Sequence, residues 1–155
     1  MPLPAPDFWN FPSTAYQTCL LTDDGSPTTT QVAQSLTERG WQVIVLCFPT
    51  SLVLQRPILP KAVKRVVLNN LSEEHLQVRL AEIFKTYGLI GTFIHLHPTA
   101  EFLYHQPDAI VNPDKAIVKQ VFLLAKHLKS TLTEAASQGR SCFLTLTRLD
   151  GEFGL

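Results

Sequence analysis

Two adjacent carboxylates, Asp23 and Asp24, stand in an early turn of the chain, and three imidazoles, His95, His97 and His105, gather further on with Glu101 and Asp108 nearby. Side chains of these types can shuttle protons or hold a metal ion. Their spacing supports neither use. His95 and His97 alternate on one face of a single apolar run, with no metal-ligand motif around them. Asp23-Asp24-Gly25 reads as a solvated turn rather than an acid/base pair. Ser141 has no histidine in its local sequence and opens a strand-like run, so a hydrolase triad has no support. Carbonyl reduction by a Tyr-x-x-x-Lys pair fails at every tyrosine: Tyr16 is followed four residues on by Leu20, Tyr87 by Gly91 and Tyr104 by Asp108. Cys19, Cys47 and Cys142 each lie within an apolar run and read as reduced core residues. No residue is assigned a catalytic, cofactor-binding or metal-binding role.

The elements that would carry such residues are legible from periodicity. Residues 1–16, with Pro2, Pro4, Pro6 and Pro12 between Phe8, Trp9 and Phe11, form an extended lead-in. Residues 17–155 form one domain. Short apolar runs at 17–22, 41–48, 64–68, 89–96 and 141–148 predict five strands. The run WQVIVLCF at 41–48 is apolar throughout, as expected of a strand covered on both faces. Between the runs lie helical patterns. Thr28 and Gln31 have the form of a capping box, with Val32, Ala33 and Leu36 on one face and Gly40 as the stop. Ser72 caps a helix with Leu76, Leu80, Ile83, Phe84 and Tyr87 on its core face. A long helix over 114–138 carries Ile117, Val121, Leu124, Leu128 and Ala135 on one stripe, and Ala116, Leu123 and His127 on a second that is left for a partner. Residues 49–61, with Pro49, Pro57 and Pro60, read as an irregular excursion whose apolar residues Leu52, Val53, Leu54 and Ile58 are left for a partner. Strands alternating with helices imply a Rossmann-like open parallel sheet, because parallel neighbours require a crossover.

Such a sheet normally binds a dinucleotide at the turn after its first strand, where glycines admit a pyrophosphate to a helix N-terminus. Here the turn is Thr22-Asp23-Asp24-Gly25-Ser26-Pro27-Thr28, with one glycine and two carboxylates. The carboxylates would repel a phosphate by more than the helix dipole, worth about 0.3–1 kcal/mol, would offset. After the second strand, where an acid would hold a ribose hydroxyl, stands Cys47-Phe48-Pro49. No cofactor site is expected.

Composition narrows the partners. The 155 residues carry 13 basic and 13 acidic side chains and a formal net charge of zero, so no overall field favours nucleic acid or anionic lipid. No stretch approaches the roughly 20 apolar residues of a membrane span, and the start lacks a signal-peptide pattern; a cytoplasmic location is expected.

The blocks Cys19–Gly25 (CLLTDDG), Leu36–Leu46 (LTERGWQVIVL), Phe122–Leu128 (FLLAKHL) and Cys142–Leu155 (CFLTLTRLDGEFGL) resemble the ketoreductase region of type I polyketide synthases and of related synthases of polyunsaturated fatty acids and glycolipids. The Thr-Arg end of the last strand is the most specific piece. The resemblance spans about residues 18–155 and implies a truncated short-chain-dehydrogenase-like subdomain, the non-catalytic one of two Rossmann-like halves. It also implies that NADPH and the catalytic Ser, Tyr and Lys belong to the other half, since none of those positions falls on a matching residue here. The partners implied are that catalytic half and neighbouring synthase domains in the same polypeptide. A free-standing Rossmann-like nucleotide-binding oxidoreductase with a degenerate glycine loop stays open as the alternative, as does an unrelated interaction module.

Overall fold

A computed structural model of the chain describes residues 17–103 and 112–148. The lead-in at 1–16, together with Tyr104, His105, Asp108 and residues 149–155, lies outside the described residues. Among the described residues, five strands occur in chain order: β1 (Thr18–Thr22), β2 (Gln42–Cys47), β3 (Lys64–Val67), β4 (Thr92–Leu96) and β5 (Cys142–Leu146). Three helices join them, α1 (Pro27–Glu38), α2 (Glu73–Tyr87) and α3 (Pro113–Gln138), with a short 3-10 turn at Ala100–Phe102. All four strand pairings are parallel, in the order β3-β2-β1-β4-β5. This is the Rossmann-like open sheet that the periodicity predicts.

Crossover direction reverses between β1 and β4, so the helices divide between the two faces. On one face α1 covers Cys19, Leu21, Val43, Val45 and Ile94 through Ala33. The other face is covered by α2 and α3 over Leu20, Ile44, Leu46 and Phe93. Central strands β1 and β2 are therefore buried on both sides, which is why their sequences run apolar without alternation. The β2–β3 connection has no helix. Its residues Leu52 and Val53 turn inward and are buried, so the apolar side chains of this excursion belong to the core rather than to a partner; Leu54 and Ile58 stay exposed.

Three local expectations change. The cap of α1 is Ser26, whose Oγ accepts from the Thr28 N–H while Pro27 occupies the first turn; this start precedes the Thr28–Gln31 box because Pro27 is well suited to that position. Cys142 is exposed, since β5 is an edge strand with no further strand beside it among the described residues, whereas Cys19 and Cys47 are buried as expected. Leu123 belongs to the main core, and His127 bonds Glu73 of α2 at 2.7 Å, so the second stripe of α3 serves the chain's own packing. The exposed large apolar residues of α3 are Val118 and Phe122.

Candidate functional site

In an open α/β sheet the ligand crevice lies beyond the carboxyl ends of the strands where the crossovers diverge, here between β1 and β4. The residues of the β1–α1 turn converge on this point. Asp23 and Asp24 are not solvated, as a surface turn would be, but almost completely buried, at 1% and 3% exposure. Burial is possible because each carboxylate is met by donors. Asp23 Oδ1 accepts from the Gly25 N–H at 2.7 Å and from Thr29 Oγ1 at 3.1 Å, and Cys47 Sγ donates to Asp23 Oδ2 at 3.4 Å. Asp24 accepts from the Ser26 N–H at 2.9 Å and from Ser26 Oγ at 2.8 Å, and its Oδ1 lies 2.7 Å from Thr29 Oγ1, whose single proton is shared between the two carboxylates. Arg148, just past the end of β5, reaches across to Asp24 at 3.5 Å and to the hydroxyls of Ser26 and Thr28.

The N-terminal turn of α1 thus receives an anion, and the anion is the chain's own. Burial raises the Asp23 carboxyl above its ordinary value, opposed by the Gly25, Cys47 and Thr29 donors and assisted by the neighbouring Asp24 charge. Burial also pushes the Cys47 thiol up to about 12, as it does Cys19, so neither is a nucleophile at neutral pH.

A second layer closes over the turn. Val53, after β2, forms an isolated antiparallel bridge with Leu103, after β4, and the Leu54 N–H donates to the Phe102 carbonyl at 3.2 Å. Both bridge residues are buried. Gly25, at φ +78°, lies directly under Val53; a Cβ there would stand 2.8 Å from Val53 Cγ1 and 3.2 Å from the Gln55 carbonyl oxygen. In a dinucleotide site a glycine at this turn admits a pyrophosphate. Here the same freedom admits Val53.

The imidazoles form a separate group. Thr22 Oγ1 lies 2.8 Å from His95 Nδ1, His95 Nε2 3.2 Å from His97 Nδ1, and His97 Nε2 3.1 Å from Asp114 Oδ1. The row runs from the buried end of β1 to the surface at the start of α3. Thr22 Oγ1 also accepts from the Leu96 N–H, which ties β1 to β4. Burial, with help from His97, pushes the His95 imidazole down to about 4, so it is neutral at physiological pH. Glu101 is exposed and meets Thr99, away from this row. Among the described residues, no three His, Cys, Asp or Glu side chains are grouped to hold a metal ion. Ser141 is half-buried at the foot of β5, and Tyr87 packs on the core.

Beside His95 and His97, an open cleft of about 340 Å³ separates α3 from β5. Its walls are Val118, Phe122 and Ala125 of α3 and Phe143, Thr145 and Thr147 of the strand and its continuation. Sequence reading singled out the Thr-Arg end of the last strand but not the contact of Arg148 with Asp24, and it missed the Val53–Leu103 bridge and Asp114. The bridge had a signal in the apolar Leu52-Val53-Leu54 of an otherwise irregular stretch.

No protein-family profile and no curated protein matches the sequence. Solved structures do match. A short-chain dehydrogenase/reductase family oxidoreductase from Aeromonas hydrophila is similar at 24% identity and TM-score 0.56, over 74% of this chain and 54% of that one. A short-chain dehydrogenase from Leptospira borgpetersenii with bound NAD+ is similar at 11% identity and TM-score 0.58, over 83% and 50% of the two chains. The 3-ketoacyl-(acyl-carrier-protein) reductase from Brucella melitensis, complexed with NADH, is similar at 16% identity and TM-score 0.58, over 83% and 55%. This chain spans about half the length of each. Its sheet and helices therefore have the Rossmann-like fold of the short-chain dehydrogenases, built over about half of their length.

Proposed function

We propose that this chain is a non-catalytic bracing subdomain of an NADPH-dependent β-ketoreductase of a polyketide or fatty-acid synthase, in a cytoplasmic multidomain polypeptide whose other half binds the nucleotide and performs the reduction. The observation that carries the reading is the filled switch-point crevice. Asp24 takes the amide and hydroxyl donors that a phosphate would need, and Val53, bridged to Leu103, covers with Phe102 the glycine that would admit it. A nucleotide would have to displace a bonded, buried carboxylate and break the bridge above it, leaving the carboxylate and the Leu54 N–H without their partners, at about 1–3 kcal/mol for each buried polar group. The resemblance of CFLTLTR and its flanks to the ketoreductase region supplies the partner class, and likeness to a 3-ketoacyl-(acyl-carrier-protein) reductase agrees with the chemistry.

Two measurements test it. Calorimetric titration of the isolated chain with NADPH and NADH is expected to give no binding at millimolar nucleotide. The native polypeptide, captured with an antibody to this chain, is expected to reduce a β-ketoacyl thioester with NADPH. Micromolar binding by the isolated chain, or captured polypeptide devoid of reductase activity, would overturn the reading in favour of a free-standing nucleotide-binding protein.

A further inference from the structure

The two edges of the sheet differ in chemistry. At one edge β3 is four residues long, begins Lys64-Arg65, and has both of those side chains exposed. A short, charged edge resists pairing with another strand. At the other edge β5 is Cys-Phe-Leu-Thr-Leu, without charge, proline or bulge, and all five residues are exposed. Phe143, Leu144 and Leu146 are 39%, 40% and 46% exposed, and alternation places Phe143 on the α3 face and the two leucines on the other. Such a composition belongs to an interior strand. The β5 amides alternate between the two sides of the strand: Cys142 donates to the Gly91 carbonyl, which directs Phe143 and Thr145 N–H outward.

The cleft beside β5 has a matching shape. Val118, Phe122 and Ala125 recur at the i, i+4 and i+7 positions of α3 and form a ridge along one wall, while Phe143 and Thr145 form the floor. Phe122 is 70% exposed. A groove between a helix and a sheet face, open along its length, fits a second helix lying alongside the first at about 8–10 Å. Handedness then fixes the arrangement. Because β4 crosses to β5 through α3, a further parallel strand on the free edge of β5 is reached by a right-handed crossover on the same face, through this groove. About half of each matched structure lies outside the match, so in those proteins this fold is accompanied by further polypeptide.

From the contrast between the edges and the groove beside one of them, we infer that β5 and the Val118–Phe122–Ala125 flank of α3 form the docking surface for the reductase half, which adds a parallel strand to β5 and seats an amphipathic helix in the cleft. The inference rests on the bracing role proposed above. It assigns the contact to one edge and one flank and leaves the β3 edge free.

Backbone hydrogen exchange separates the alternatives, comparing this chain alone with the same residues in the captured native polypeptide. The Phe143 and Thr145 amides are expected to exchange on the order of 100-fold more slowly in the native polypeptide, with the amides of β3 unchanged. Protection at β3 instead, or at neither edge, overturns the assignment. So does concentration-dependent protection of β5 in the isolated chain with none added by the reductase half, which would make a second copy the occupant. Phe122→Glu tests the helix: the isolated chain is expected to keep its melting temperature, while protection at Phe143 and Thr145 in the native polypeptide falls at least tenfold. Unchanged protection in that variant removes the helix from the cleft. Nucleotide binding by the isolated chain would refute the bracing role by a separate readout, leaving the edge result interpretable by itself.

Discussion

Val53 Cγ1 lies 2.8 Å from where a Cβ on Gly25 would stand, so the one glycine of the β1–α1 turn is required by the chain's own β2–β3 connection. Two penalties act together on any side chain at this position. The φ of +78° costs a non-glycine residue about 1–2 kcal/mol, and the close approach demands that Val53 or the Gln55 carbonyl give way. Gly25→Ala is expected to lower stability by about 2–4 kcal/mol in denaturant unfolding. Val53→Ala removes the contact but not the strained dihedral. The double variant should therefore lose less than the sum of the two single losses, by roughly 1 kcal/mol. Simple additivity would show that the turn is not held under Val53.

Asp24 and Arg148 form a pair in which the partners carry unequal weight. Asp24 is buried and accepts from the Ser26 N–H and from two hydroxyls, whereas the Arg148 side chain is 45% exposed. Asp24→Ala leaves the Ser26 N–H and hydroxyl facing a gap and is expected to cost about 2–4 kcal/mol in thermal or urea unfolding. Arg148→Ala removes a partly exposed, solvent-screened ion pair and is expected to cost less than about 1 kcal/mol. A larger loss for Arg148 than for Asp24 would mean that the turn is organised from β5 rather than from within.

His95 ties stability to pH. Its imidazole is held near 4 in the fold, mainly by burial, against 6.5 in the unfolded chain. Above about pH 6.5 both states are neutral at this site and its contribution is fully present. Between 6.5 and about 4 the unfolded chain takes up a proton that the native state refuses, so stability falls, by roughly 3 kcal/mol at about 1.4 kcal/mol per unit. Asp23, raised by burial, contributes in the opposite sense as its carboxyl is neutralised on acidification. His95→Asn should remove the His95 part of the slope, and unfolding midpoints measured across this range check it. An identical slope in the variant would place the titration elsewhere.

The fold was legible because its signals are local and repeated. Apolar runs such as WQVIVLCF, the Ser72 cap and the Gly40 and Gly88 stops mark elements whatever they pack against. The site was legible only in its residues. Asp23-Asp24 was visible as a departure from a phosphate-binding turn, but its burial depends on Thr29, Cys47 and Arg148, the last reaching it across more than 120 residues, and no local pattern encodes such a contact. The β2–β3 excursion was misread for the opposite reason. Prolines announced irregular backbone correctly, yet irregular backbone can still turn Leu52 and Val53 into the core.

Neighbouring residues of α3 sharpen this point. Helical spacing alone placed Leu123 on a stripe for a partner, but α3 packs with Leu123 at 7% exposure inside the core that includes Leu124 and Leu128, while Phe122 points out at 70%. Leu123→Glu buries a carboxylate without a partner and should cost more than about 3 kcal/mol, enough to unfold much of a marginally stable domain of this size. Phe122→Glu replaces an exposed ring and should stay within about 0.5 kcal/mol. Circular dichroism during thermal unfolding of the isolated chain distinguishes the two, with the Leu123 variant losing its cooperative transition and the Phe122 variant retaining it. Equal tolerance at both positions would show that α3 is rotated about its axis relative to the sheet, with Leu123 facing out.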